Sequence, residues 1–426
     1  MNGQPISGAS AGAGRGSTRR SGGYGRTGLP ALVLGALLLM VTACGGGGTG
    51  GDDAKGGGRG GVAKGASQIE DTASRAVLTV APKDGAKSVA TTGVLKVAVH
   101  EGTLTAVTVK DDKGNPVEGK LAADGGSWEP SRHLAGATKY TVHASAKDPK
   151  GRESAKDTTF TTLVPKKTFI GYYTPEDRST VGVGMPVSLS FNRGITRPED
   201  VEKAVEVTAE PAVPIESHWF GNDRLDFRPE KYWVPGTKVT VRIDFDGVEG
   251  RSGVYGTQAR TVTFTIGRRQ VSTVDAAAHT MKVERDGKQL RKIPVSAGSP
   301  STTTYNGQMV ISEKYKVTRM NGDTVGFGGE YDIEDVPHAM RLSTSGTFIH
   351  GNYWASSGTF GSTNTSHGCV GLRDARGAGD KSTPAAWFYD HSILGDVVIV
   401  KNSKDKTIAP DNGLNGWNMS WADWKK

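Results

Sequence analysis

One short signature occurs twice in the chain, about one hundred residues apart. W-E-P at residues 128–130 is followed by Gly136 and K-Y-T-V, and F-R-P at residues 227–229 is followed by Gly236 and K-V-T-V. Both copies close on T-F-T, at residues 159–161 and 263–265. Recurrence at a fixed period marks one structural unit used twice. Around it run short alternating segments, at 76–80, 94–99, 104–110, 140–146 and 158–163 in the first copy and at 187–191, 225–227, 238–245 and 261–266 in the second. Alternation turns one side of a strand to a core and the other to water.

Strands at this spacing, with turn signals such as D-D-K-G-N-P and D-P-K-G between them, predict an antiparallel sandwich for each copy. The size suits an immunoglobulin-like domain, over residues 68–165 and 166–268. Neither copy contains cysteine, so an inter-sheet disulfide is excluded. His100, His133, His143 and His218 fall here singly and read as surface or core residues. These modules are assigned a spacer or docking role.

The whole chain, 426 residues, is long enough for about three domains. Its net charge of +8 suits an anionic partner. The basic residues are scattered and not interleaved with aromatics, which argues against nucleic acid. An anionic cell envelope and plain solvated surface lysines remain the two readings of the charge.

Residues 1–28 are Gly/Ser/Arg-rich, and an apolar run at 29–41 leads into V-T-A-C. A basic segment, a short apolar run and small residues before a cut define a secretory signal, here 1–43. The run is too short for a mature membrane span. Arg19 and Arg20 suggest a twin-arginine signal, but the residues after them match it poorly. The cysteine that follows Ala43 resembles a bacterial lipobox, which implies cleavage before Cys44, a lipid on its sulfur and attachment to a membrane; the alternative is an ordinary signal with an incidental cysteine. Residues 44–67 are Gly-rich and bury nothing, so they read as a flexible leash of roughly 25 Å root-mean-square span.

The chain has two cysteines. With Cys44 assigned to lipid, Cys369 is a lone thiol in an exported protein, a liability unless its reactivity is wanted. His367 stands two residues before it and His350 nineteen before it. That constellation predicts a cysteine nucleophile with an imidazole base. Around it the residues predict a mostly-β domain over 269–402: a hairpin at Asp286-Gly287, paired strands at 304–312 and 314–319, a strand at 343–350, and a helix at 383–391 capped by Ser382 or Thr383. Gly395 ends that helix segment before V-V-I-V-K.

F-I-H-G, a Gly/Ser/Thr-rich loop and then T-S-H-G-C resemble the L,D-transpeptidase signature, over about a third of the chain. The lipobox and paired modules resemble actinobacterial members. The resemblance implies that Cys369 attacks the peptide bond after the third residue of a peptidoglycan stem peptide and releases D-alanine. A neighbouring stem amine then resolves the thioester into a 3→3 cross-link. It implies His350 as the base, its ring oriented by the backbone at Gly351. His367, two residues before the nucleophile on a tight turn, is better placed to shape the loop and stabilise charge and reads as auxiliary. It implies Ser345 and Gly346 on a strand lining the donor groove, Tyr331 as a lid residue, and carbapenems as covalent inhibitors. Members often carry asparagine two residues after the cysteine; Gly371 stands there, so backbone groups or Arg373 have to replace its contact with substrate.

Read from the residues, the oxyanion donors are the backbone N–H groups of His367, Gly368 and Cys369, with Gly368 permitting the turn and Ser366 and Thr365 placed to hold it. Tyr353 and Trp354 either wall the pocket or pack. Trp417, Trp421 and Trp424 in the 403–426 tail share a face if helical and read as a strap on the sheets, glycan contact being the other option. No metal-ligand spacing or phosphate loop occurs, so no metal or cofactor is expected. Two further readings remain open: hydrolysis of the same thioester as an L,D-carboxypeptidase, and a non-catalytic envelope-binding lipoprotein.

Overall fold

A computed structural model describes residues 73–325 and 328–426. The signal at 1–43, Cys44 and the leash at 44–67 lie outside the described residues. Among the described residues no helix is long and apolar enough to cross a membrane.

The first repeat forms two four-stranded sheets. One has the order Val77–Ala81, Lys96–His100, Ser127–Pro130, Gly119–Leu121, and the other Ala86–Val89, Glu153–Thr162, Lys139–Lys147, Thr103–Asp111. Lys139–Lys147 shows why: Tyr140, Val142, Ala144 and Ala146 are buried, while Lys139, Thr141 and His143 face solvent. The second repeat builds the same pair of sheets, with Val187–Phe191, Arg224–Pro229, Lys238–Asp244 and Ala259–Ile266 among its strands.

The recurring signature falls on equivalent strands, with Trp128 and Phe227 buried in matching places. The sandwiches are not wholly antiparallel. Ala86–Val89 runs parallel to Glu153–Thr162, and Thr180–Val181 parallel to Ala259–Ile266. The second repeat also carries a three-stranded sheet of Lys167–Phe169, Glu249–Arg251 and Val254–Gly256.

The second sandwich is fused to the C-terminal domain. Its core cluster continues into Val271 and Val397 of that domain. At the junction the Gly182 N–H donates to the Leu394 carbonyl at 2.7 Å, and the Gly184 N–H to the Gly395 carbonyl at 2.9 Å. A Cβ on Gly182 would stand 2.4 Å from the Asp396 nitrogen, so only glycine lets the two backbones meet. A shared core makes this module a structural part of the domain it precedes and not a detachable spacer.

The C-terminal domain is one sheet of nine strands in the order Gly307–Val310, Val397–Lys401, Gln270–Asp275, Thr280–Arg285, Lys288–Ser296, Val370–Arg373, Phe348–Asn352, Asp332–Arg341, Glu313–Asn321. The hairpin turn at Asp286-Gly287 has positive φ at both residues, 51° and 79°, as a two-residue connection requires. Pro384–Asp390 is helical, and the Thr383 side chain caps it by accepting from the Ala386 N–H. Two expectations fail. Gly307–Val310 and Glu313–Asn321 do not pair with each other but form opposite ends of the sheet order. Residues 343–346 form a tight turn, with the Leu342 N–H on the Thr347 carbonyl at 2.8 Å, so the strand starts only at Phe348.

The tail is a strap, although not one helix: Gly416–Asn418 is a single 3-10 turn and Trp421–Trp424 a short helix. The guanidinium of the buried Arg228 lies 4.8, 5.3 and 4.2 Å from the ring centroids of Trp417, Trp421 and Trp424. Trp424, fully buried, donates its indole N–H to the Glu216 carbonyl at 2.9 Å. His218, read from sequence as an isolated residue, pairs its Nδ1 with the Trp424 carbonyl at 2.9 Å.

Candidate active site

His350 lies on the Phe348–Asn352 strand and Cys369 immediately precedes Val370–Arg373. The two strands are parallel neighbours, with His350 opposite Gly371. The sheet therefore brings together two residues nineteen apart in sequence. A cavity of about 300 Å³ opens beside them. Tyr331, His350, His367 and Cys369 all line it, with Asn352, Trp354, Thr365 and Ser366 as further polar or aromatic wall and Met320, Ile333 and Ala355 as apolar wall.

Cys369 is buried against Val336, Ala339 and Phe348, yet it faces this cavity. Its S–H donates to the Gly346 carbonyl at 3.5 Å. Burial pushes the thiol up to about 11. The resting sulfur is accordingly protonated at neutral pH, and a base has to accompany its attack.

His350 supplies an imidazole in a defined tautomer. Its Nδ1–H donates to the Gly351 carbonyl at 2.8 Å, which leaves Nε2 with a free lone pair. Burial lowers its pKa below the usual 6.5, only partly opposed by the Gly351 hydrogen bond and by Asp374. The ring stacks on Trp354, with centroids 5.7 Å apart and planes inclined by 17°.

Beneath this strand lies a pair that sequence reading missed. Asp374 Oδ2 meets His338 Nδ1 at 2.7 Å, both side chains buried, while Asp374 Oδ1 accepts from the Thr383 hydroxyl at 2.8 Å. A Cβ on Gly351 would stand 1.9 Å from Asp374 Oδ2. A side chain at 351 therefore fits only if the Asp374 carboxylate moves. Gly351→Ser is expected to displace the Asp374–His338 pair, at a cost of about 3 kcal/mol in stability, measurable by denaturant unfolding. An unchanged unfolding midpoint would show that the pair yields freely.

His367 is half exposed; its Nε2 lies 3.1 Å from Glu330 Oε2 and its ring centroid 5.1 Å from that of Tyr331. The Tyr331 phenol is pushed up to about 12, by burial and then by the nearby Cys369. Gly368 has φ +103°, the conformation expected of it, and the Ser366 hydroxyl closes the turn on the Cys369 carbonyl at 2.5 Å.

Ser345 and Gly346 sit in the turn before the histidine strand, not on a strand. Ser345 is exposed and hydrogen-bonded to Asn412. Gly346, at φ +93°, packs under Val325, which a Cβ would meet at 2.5 Å. Neither these two nor Gly371 lines the cavity. Tyr353 does not wall it either: its hydroxyl donates to Asp335 at 2.5 Å, and Arg376 lies over its ring.

Residues 269–400 match the family model of the L,D-transpeptidase catalytic domain, and residues 86–249 that of a bacterial Ig domain. The chain is 34% identical over 351 residues to L,D-transpeptidase 2 of Mycobacterium tuberculosis (strain CDC 1551 / Oshkosh), an alignment covering 82% of this chain and 84% of that one. The chain belongs to the L,D-transpeptidase family.

L,D-transpeptidase 5 of Mycobacterium tuberculosis (strain H37Rv) is 29% identical over 354 residues, 82% of this chain and 76% of that protein. The structure of Mycobacterium tuberculosis L,D-transpeptidase 3 in complex with a faropenem-derived adduct aligns with TM-score 0.44 and 25% identity over 55% of this chain and 98% of that one. By the two family models this L,D-transpeptidase family member has the β architecture expected from its sequence, an Ig domain followed by the catalytic domain. Among the described residues no group of His, Cys, Asp or Glu side chains is placed to hold a metal.

Proposed function

We propose that this chain is a peptidoglycan L,D-transpeptidase in which Cys369 is the nucleophile and His350 its general base. The sulfur attacks the carbonyl of the third stem residue, and the thiol proton passes to His350 Nε2. The C–N bond to D-alanine then breaks, and the leaving amine takes that proton. A thioester remains. The side-chain amine of a neighbouring stem attacks it, the C–S bond breaks, and a 3→3 cross-linked dimer leaves with the thiol restored.

The observation that carries this reading is that Cys369 and a neutral, tautomer-fixed imidazole line the same cavity on adjacent strands. The amides of Gly368 and Cys369 donate to no described protein acceptor, which supports an oxyanion site there, with the His367 amide as its third member. Tyr331 is the lid over the sulfur. His367, beside Glu330, assists by shaping the loop. Of the residues read as a groove, Gly346 meets the sulfur through its carbonyl, whereas Ser345 and Gly371 stay off the cavity lining.

In the same reading residues 1–43 are a cleaved signal, Cys44 carries the lipid, and 44–67 tether the protein to the outer face of the cell membrane, toward the wall. In that reading the modules span 68–165 and 166–268, the catalytic domain 269–402 and the tail 403–426. Carbapenems, as acylating agents, would form a covalent adduct on Cys369.

Incubating purified protein with a stem tetrapeptide and following products by mass spectrometry tests the reaction. A cross-linked dimer with free D-alanine is expected. Tripeptide without dimer would make the protein a carboxypeptidase, and unchanged tetrapeptide with no carbapenem adduct would overturn the enzymatic reading.

A further inference from the structure

Asn352 ends the histidine strand, beside Arg373 of the neighbouring strand. It is 6% exposed and lines the cavity that holds His350 and Cys369. Its Oδ1 accepts the Ala355 N–H at 2.9 Å, which fixes both the rotamer and the orientation of the amide. The amide nitrogen then points away from that turn and donates to no described protein group. A carboxamide held by its oxygen, with its N–H bonds left open, is a preorganised donor.

The neighbouring strand makes room for it. A Cβ on Gly371 would stand 3.5 Å from both the Cβ and the Nδ2 of Asn352. That is ordinary contact distance, so glycine is not imposed there by backbone crowding. Side chains from 352 and 371 would address the same spot from adjacent strands, and in this chain position 352 supplies the group. Among the described residues no lysine or arginine lines the cavity, which suits a neutral acceptor on the substrate better than a carboxylate.

We propose that Asn352 is a substrate-binding residue whose carboxamide N–H donates to a peptide carbonyl oxygen of the acyl donor. This rests on the transpeptidase reading above. The test compares the acylation of Cys369 by stem tetrapeptide in wild type, Asn352→Asp and Asn352→Ala. Aspartate keeps the acceptor for the Ala355 N–H but loses the donor, while alanine keeps the site neutral.

Both variants are expected to lose about tenfold in kcat/KM, mainly through KM, the size of one neutral hydrogen bond. Alkylation of Cys369 by iodoacetamide, which requires no substrate recognition, is expected to stay within about twofold in Asn352→Ala. Adding Gly371→Asn to Asn352→Ala is expected to restore most of the loss by returning the carboxamide from the other strand. Wild-type acylation rates in either variant would overturn the proposal. So would an alkylation loss equal to the acylation loss, or no rescue by Gly371→Asn. A wild-type protein acylated by neither tetrapeptide nor carbapenem would instead refute the nucleophile itself, and this proposal with it.

Discussion

Cys369→Ser is expected to abolish acylation, with no adduct after carbapenem exposure and a tetrapeptide turnover at least about 10³-fold below wild type. Serine is close in size to cysteine, and its hydroxyl can donate to the same Gly346 carbonyl that now receives the S–H. The fold should therefore survive, with an unfolding midpoint near that of wild type. The chemistry should not. A serine hydroxyl is a far weaker acid than a thiol, even one pushed up to about 11. The base it would rely on donates its Nδ1–H to a neutral backbone carbonyl and to no carboxylate, and that bond and Asp374 only partly offset the burial that disfavours the imidazolium formed by proton transfer. The measurement is intact-protein mass: one inhibitor mass added to wild type, none to the variant. Cys369 is the only free cysteine among the described residues, and Cys44 the other in the chain, so an adduct that persists in Cys369→Ser and maps elsewhere than Cys44 would place the nucleophile on a different residue type.

The parts of this architecture visible in the sequence are those set by local pattern. Alternation with period two marks the longer strands of both repeats but not the short ones such as Gly119–Leu121 or Lys167–Phe169, and the recurrent aromatic of W-E-P and F-R-P falls on buried, equivalent positions because each must face its own core. Thr383 was readable as a cap because capping involves only three consecutive residues beyond it. Pairings across the sheet were not readable. Nothing local says that Gly307–Val310 and Glu313–Asn321 belong to opposite edges, since that depends on which strands come between them. S-T-S-G-T-F-I-H alternates like a strand, yet Gly346 at positive φ and the Leu342 N–H on the Thr347 carbonyl close its first half into a turn. The site divides in the same way. Cys369 and His350 stood out as rare residues in a telling order, whereas Asp374 with His338, and Asn352 with Gly371, acquire meaning only when strands far apart in sequence are laid side by side.

His350→Gln tests how the proton moves. Glutamine retains some polarity and bulk on the wall but cannot accept a proton, and removing a general base of this kind is expected to lower acylation by about 10²–10⁴ at neutral pH. The pH profile carries the stronger discrimination. The reactive state is neutral imidazole with neutral thiol. Lowering the pH protonates His350, so the wild-type rate should fall on the acid side, and because burial lowers that pKa the fall should begin only below 6.5. Raising the pH costs nothing until the thiol itself ionises, near about 11, so the rate should stay level through pH 9. In His350→Gln the acid limb should vanish, and the small residual rate should climb about tenfold per pH unit as thiolate appears unaided. Stopped-flow acylation from pH 5 to pH 9 reads both profiles. A wild-type optimum that turns downward near neutrality would mean a preformed thiolate–imidazolium pair instead, in contradiction to a buried, protonated Cys369 whose S–H is held by the Gly346 carbonyl.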